Sequence, residues 1–153
     1  MINKREMSYE YIRGLTDGEG CFSFHTSNRM NKSGDIIFEK FPVFVISMND
    51  RDYELLNAVK EKLGLRTEIY RGKAWRGDGY NRGSVAKLMV RNLGELKNVI
   101  IPLFYKKLIG YKAKQFEEWI ERIGNDKTVR KSFKLIYRIY KAGYYDRNQN
   151  FCG

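Results

Sequence analysis

The stretch Tyr11-Ile12-Arg13-Gly14-Leu15-Thr16-Asp17-Gly18-Glu19-Gly20 constrains this chain more than any other. Ser8 is a favoured N-cap and Glu10 an acid in the first turn, so a helix is expected over about residues 8–18. Asp17-Gly18-Glu19-Gly20 then stops it, because closely spaced glycines weaken a helix and supply left-handed conformations. Gly14 and Gly18 lie four residues apart, on one face, and leave that face bare. A bare stripe lets another helix approach backbone to backbone, with Glu19 at the end of the seam. An ordinary short helix with a glycine-rich turn needs neither the stripe nor the acids.

Composition sets the class of partner. A chain of 153 residues can form one domain with a sizeable core. Lys and Arg number 29 against 18 Asp and Glu, a net charge of +11 that points to nucleic acid before an anionic membrane surface. No run of apolar residues reaches membrane-spanning length and the N-terminus lacks an apolar signal core, so a soluble, intracellular protein with no membrane partner is expected, not a secreted one. Cys21 and Cys152 form no C-x-x-C pair, which argues against a disulfide framework or a zinc site. His25 is the single histidine. Chemistry must therefore come from carboxylates, lysines and water, without a small-molecule cofactor.

Cys21 to Arg29 alternates at its start like a strand with one wet face: Phe22 and Phe24 inward, Ser23, His25, Ser27 and Arg29 on the other side with Cys21. Asn31 to Asp35 is a turn, and Ile36 to Ser47 a second strand in which Pro42 argues for an edge or a bulge. Asn49 or Asp50 caps a helix that runs to Leu63 and ends at Gly64. Thr67 to Arg76 and Tyr80 to Arg91 read as strands around Gly77-Asp78-Gly79. Tyr70, Trp75 and Tyr80 are interleaved there with Arg66, Arg71, Lys73, Arg76, Arg82, Lys87 and Arg91. Such a ribbon can read base edges in a major groove; its bland alternative is a solvated sheet face.

C-terminal helices are expected over about residues 93–141, with Pro102 ending or kinking the first of them. A second runs from about Ile109 to Ile123, and a third from Asp126 to Lys141 with its basic residues largely outward. Residues 142–153 read as a loose polar tail to this single domain. Helix, hairpin, helix, hairpin, helices gives an α+β fold with helices on one sheet face and an open basic face opposite.

Ile12 to Gly20 resembles the signature of the LAGLIDADG homing endonucleases. Its Gly-x-x-Asp-Gly-Glu-Gly spacing matches, while Arg13, Thr16 and Glu19 depart from the consensus. The element order is similar to that family's αββαββα core, so the resemblance extends over roughly the whole chain. It implies an antiparallel sheet forming a DNA-binding saddle. A single copy of the motif implies a homodimer, joined through Gly14, Leu15 and Gly18.

By that resemblance Glu19 is the metal-ligand acid, with the Gly18 carbonyl as a further ligand for Mg2+ or another divalent cation such as Mn2+ or Ca2+. Asp17 reads as a helix-end or interface residue, with a ligand role as the lesser option. Lys112 resembles the lysine near the active-site water, and Lys114 is its close rival. Where the family often carries a water-orienting glutamine this chain has Met48, so Asn49 is the candidate substitute. For contacts to double-stranded DNA the expected residues are Ser23, His25, Ser27, Arg29, Arg71, Lys73, Trp75, Arg82 and Lys87. The resemblance implies a Mg-dependent, intron-homing nuclease. The alternative is an RNA maturase or DNA-binding regulator on the same fold without cleavage.

Overall fold

A serine hydroxyl opens the first helix. In the computed structural model, which describes residues 6–73 and 83–151, Ser8 Oγ accepts from the Tyr11 N–H at 3.0 Å and starts α1, Tyr9–Glu19. The helix does not end on a left-handed glycine. Gly20 closes it in extended conformation (φ −80°, ψ 162°), its N–H donating to the Thr16 carbonyl, and the chain passes straight into β1, Gly20–Met30. Close packing requires the glycine here, because a Cβ on Gly20 would stand 2.5 Å from the Thr16 methyl.

At the expected turn, the Asn31 side-chain oxygen accepts from the N–H groups of Ser33 and Asp35, and Gly34 takes φ +82°. β2, Ile36–Asn49, leads through a 3-10 turn (Asp50–Asp52) to α2, Tyr53–Leu63, which Gly64 ends in left-handed conformation. Among the described residues β3 spans Tyr70–Lys73, starting later than the sequence predicts, and β4 spans Ser84–Val90; Trp75, Arg82 and the Gly77-Asp78-Gly79 turn lie outside the described residues. The three strand pairings are antiparallel and the order is β1-β2-β4-β3. Pro42 therefore stands in a central strand, yet its edge is a local one. β4 pairs with β2 only from Phe44 to Asn49. Pro42 lies beyond that stretch, and its nitrogen points away from β1 as that of Lys40 does, so no ladder bond is lost.

Past β4 the expected first C-terminal helix is broken into α3 (Leu93–Glu95), a π turn (Leu96–Ile100) and α4 (Ile101–Phe104). Pro102 lacks an N–H and crowds the preceding turn, and the wider π turn just upstream absorbs the misfit. α5 spans Tyr111–Asn125. The helix expected from Asp126 begins only with a 3-10 turn at Lys131 and α6 at Lys134–Lys141. Residues 128–130 instead run beside β2: Lys40 N donates to Thr128 O (2.8 Å) and Arg130 N donates to Lys40 O (2.9 Å). Lys134 is turned inward, its ammonium donating to the carbonyls of Ile123, Gly124 and Asp126 at the end of α5, where a cation meets the negative end of the helix dipole.

The expected loose tail is docked as far as residue 151. α7, Tyr144–Arg147, buries Tyr145, whose hydroxyl donates to Lys97 O at 2.9 Å, and Phe151 packs edge-on against Tyr9 at 5.1 Å. Apolar rings in reach of a buried surface outweigh the polar residues around them. The core centres on Phe22, with Phe44, Phe116, Trp119 and Phe104 at ring distances of 5.1–5.6 Å. Phe22, Phe44, Ile46, Ala86, Leu88 and Val90 share the helix-covered face of the sheet by register.

Candidate functional site

α1 has two unlike faces. Ile12, Arg13 and Thr16 are buried. The Arg13 guanidinium, only 3% exposed, donates to Leu103 O (2.8 Å), to Phe151 O (2.6 Å) and to the Glu10 carboxylate. On the opposite side Gly14 and Gly18 are exposed, and a Cβ on either would meet nothing within 4 Å. Leu15 beside them is half-buried and Tyr11 is 45% exposed. The bare stripe read from the sequence is open, with the chain's own packing confined to the other face.

The two acids of the motif are used differently. Asp17 reaches across to the loop before α5, where one carboxylate oxygen accepts from Gly110 N (3.0 Å) and the other from Ile109 N (3.2 Å). It anchors the start of α5 and is committed there. Glu19 is exposed and has no hydrogen-bond or ion-pair partner among the described residues. The last carbonyls of a helix lack intrahelical donors, so Gly18 O faces the same end without a helical partner. Among the described residues no three His, Cys, Asp or Glu side chains cluster, so this end offers one free carboxylate per chain.

Lys112 stands in the first turn of α5, two residues beyond the Gly110 that Asp17 holds. The start of the helix that carries it is thus tied to Asp17, near the C-terminal end of α1. Lys114, its rival, is exposed and lies 3.9 Å from Glu118, and Gln115 accepts from the Phe22 N–H at 3.1 Å. Met48 pairs with Ala86 on the helix-covered face and packs against the core. Asn49 alternates to the open face; its side-chain oxygen accepts from Arg51 N (2.9 Å), leaving its amide nitrogen as donor.

Register assigns the open face. Ser23, His25, Ser27 and Arg29 of β1 share it with Glu39, Phe41, Val43, Val45 and Ser47 of β2 and Lys87 of β4. In β3, Tyr70 pairs with Lys87 and belongs to this face, whereas Arg71 pairs with Ala86 and Lys73 with Ser84 on the helix side. Arg71 makes a two-point contact with Asp50 (2.7 and 2.8 Å) and lies 4.4 Å from the Tyr53 ring. Its hydrogen bond holds the Asp50 carboxyl below the usual range. One residue of register separates these two basic residues from the face the sequence reading gives them. Glu39 receives Arg29 (2.9 Å) and Arg130 (3.0 Å) on its two oxygens, and these bonds hold its carboxyl below the usual range.

Sequence reasoning misses the roles of Arg13 and Arg130, and it counts Arg91 in the basic ribbon without naming it as a contact. Arg91 continues the alternation of Lys87 and was findable on that signal. Arg130, and the Leu103 and Phe151 contacts of Arg13, carry no local signal, since they depend on residues far away in the chain. Among the described residues no helix is long and apolar enough to cross a membrane.

A family description for LAGLIDADG endonuclease matches residues 12–123. Among solved structures, the chain is similar to the I-LtrWI LAGLIDADG homing endonuclease bound to target DNA, at 28% identity and TM-score 0.58, over 75% of this chain and 36% of that one. It is also similar to the meganuclease I-SmaMI bound to uncleavable DNA, at 25% identity and TM-score 0.55, over 89% of this chain and 44% of that one. The LAGLIDADG meganuclease I-CpaMI bound to uncleaved DNA shares the fold at 18% identity and TM-score 0.62, over 100% of this chain and 48% of that one. The chain spans half or less of the length of each.

Proposed function

Because this chain belongs to the LAGLIDADG endonuclease family, we propose that it is a site-specific double-strand DNA endonuclease acting as a homodimer on a long, near-palindromic site. The observation that carries this reading is the unengaged Glu19 carboxylate at the end of an unpartnered glycine stripe. Two copies joined along Gly14, Leu15 and Gly18 put two Glu19 carboxylates into one seam, as an isologous contact requires. Each chain contributes hard oxygen donors, Glu19 and the Gly18 carbonyl, which suit Mg2+, Mn2+ or Ca2+. One chain alone supplies too few, so the second copy completes the set. A divalent cation there supplies charge neutralisation at the scissile phosphate and a more acidic water.

The remaining roles fall to this chain's own groups. Lys112, carried to the acidic end by α5, presents an ammonium to phosphate charge or to the attacking water. The Asn49 amide nitrogen orients water from the open side. Asp17 fixes the start of α5 and with it the position of Lys112. Ser23, His25, Ser27, Arg29 and Lys87 line the open face as contacts to a duplex.

The test is cleavage of a plasmid library carrying randomised sites, in Mg2+, by wild type and by Glu19→Gln. Cleavage by wild type, with none by the variant and binding retained in both, supports the assignment of Glu19. Binding without cleavage by either protein moves the reading to an RNA maturase or a DNA-binding regulator on the same fold.

A further inference from the structure

The segment 126–133 lies outside the family-matched residues 12–123, yet it enters the sheet. β4 stops at Val90 opposite Phe44, leaving the outer half of β2 without a neighbour on that side. Residues 128–130 take the vacant place in parallel, bonded through Lys40 N and O. Asp126 secures the arrangement by accepting from Thr128 N (2.8 Å), Thr128 Oγ1 (2.6 Å) and Lys40 Nζ (3.1 Å). The effect is to deliver Arg130 to the open face, beside Arg91 at the end of β4.

Ser27, Phe41, Arg91, Arg130 and Phe133 line an open cleft of about 400 Å³ there. Arg130 donates through Nε to Glu39, which also holds Arg29, and this fixes the guanidinium while leaving its terminal nitrogens uncommitted among the described residues. Arg91 is exposed and has no ion-pair partner among the described residues. Two guanidiniums, Arg29 and Arg130, thus share the Glu39 carboxylate, while Arg91 and the Ser27 hydroxyl line the cleft beside Arg130 and add donors suited to an oxyanion.

The geometry points to a backbone-phosphate site for duplex DNA in this cleft, built by Arg91 and Arg130 with Ser27, remote from the acidic end of α1. Ser27 is seven residues along β1 from Gly20, about 24 Å at strand rise. That length corresponds to about seven base-pair steps of duplex. The site therefore widens the footprint of the chain without reading sequence. The inference rests on the DNA-binding reading above and adds Arg130, which lies outside the family-matched residues, to Ser27 and Arg91 within them.

The experiment measures binding of a random-sequence 30-base-pair duplex (a length of about 30 pairs spans both clefts of a dimer) at several salt concentrations. Wild type is compared with the double variant Arg91→Gln/Arg130→Gln and with an equal charge removal elsewhere, Arg138→Gln/Arg147→Gln. Each lost phosphate contact makes the slope of log affinity against log salt shallower by about 0.9, so between 50 and 200 mM salt each contact changes the affinity drop by roughly three- to fourfold. The cleft variant is expected to lose about two contacts per chain, the charge control to keep the wild-type slope, and Arg91→Lys/Arg130→Lys to recover most of it. Equal slopes for wild type and the cleft variant, or equal losses for the cleft variant and the control, overturn the site. Failure of wild type to bind any duplex overturns the nuclease reading itself, a distinguishable result.

Discussion

Replacing Arg13 with methionine removes a buried charge-bearing clamp while keeping much of its length. The three acceptors it leaves behind differ in cost. Leu103 is fully buried, and its carbonyl, deprived of a donor, costs about 1–3 kcal/mol. The Phe151 carbonyl belongs to a half-buried residue that can turn to water, and losing a charged donor there costs about 1 kcal/mol. Glu10 is 69% exposed, so its pair with Arg13 contributes at most a few tenths. Relief of guanidinium desolvation offsets part of this, leaving a net loss of about 2–3 kcal/mol. For a chain of 153 residues that is a fall in Tm of roughly 4–12 °C. Urea unfolding at one fixed protein concentration measures it, since the proposed dimer would make stability depend on concentration. In a chain ending at Arg147, which lacks Phe151, the same substitution should cost about 1 kcal/mol less, because contacting groups couple. A loss below 0.5 kcal/mol (on the order of a surface change), or an identical loss in the shortened chain, would refute the clamp.

Two further outcomes follow from the same helix and from the segment beside β2. Gly14→Ala/Gly18→Ala adds methyls that meet nothing within the chain, so it should raise the helix's own stability by about 0.5–1 kcal/mol per site while shifting sedimentation toward monomer and lowering cleavage. Unchanged association would remove the stripe from the interface. The Asp126 carboxyl is held well below its ordinary 3.8, first by the Thr128 hydroxyl, then by the Thr128 N–H and Lys40. A depressed folded pKa gives stability that is complete above the unfolded value and lost as pH falls below about 4, so Asp126→Asn should lower stability at pH 7 and flatten the acid limb of the stability–pH curve. Parallel acid limbs for the two proteins would sink that assignment.

What the sequence disclosed was local. Ser8, Gly34 and Gly64 act through their own or adjacent backbone, and each stands where its chemistry predicts a cap or a turn. Phe22 and Phe24 alternate correctly because a strand of 11 residues gives the period room to register. The described part of β3 is four residues long and takes its face from pairing with β4, which puts Arg71 and Lys73 on the helix side. Segment 126–133 carries a helical pattern in Val129 and Phe133, but the vacancy beside Lys40 offers residues 128–130 two backbone hydrogen bonds that a helix start does not. No local rule predicts a vacancy created by the end of another strand. The same holds for Asp17, whose partners lie more than 90 positions away, and for Phe151, whose ring finds Tyr9 only once the tail returns.

The division of labour on α1 accounts for two of its three departures from consensus, Arg13 and Thr16. Arg13 and Thr16 both point into the chain's own body, where they meet Leu103, Phe151 and Gly20. Gly14 and Gly18 point away from it. Substitutions on the first face change how one chain holds its helix, and a long buried side chain is tolerated because carbonyls of α4 and the tail satisfy it. Substitutions on the second face meet nothing within the chain, so under the proposed dimer a partner surface would judge them, and there even a methyl counts. Asp17 and Glu19 extend this split to the acids: the first is consumed by the loop before α5, and its commitment leaves the second as the free carboxylate. Stability defects should therefore map to Arg13 and Asp17, and activity defects with intact folding to Glu19 and the stripe.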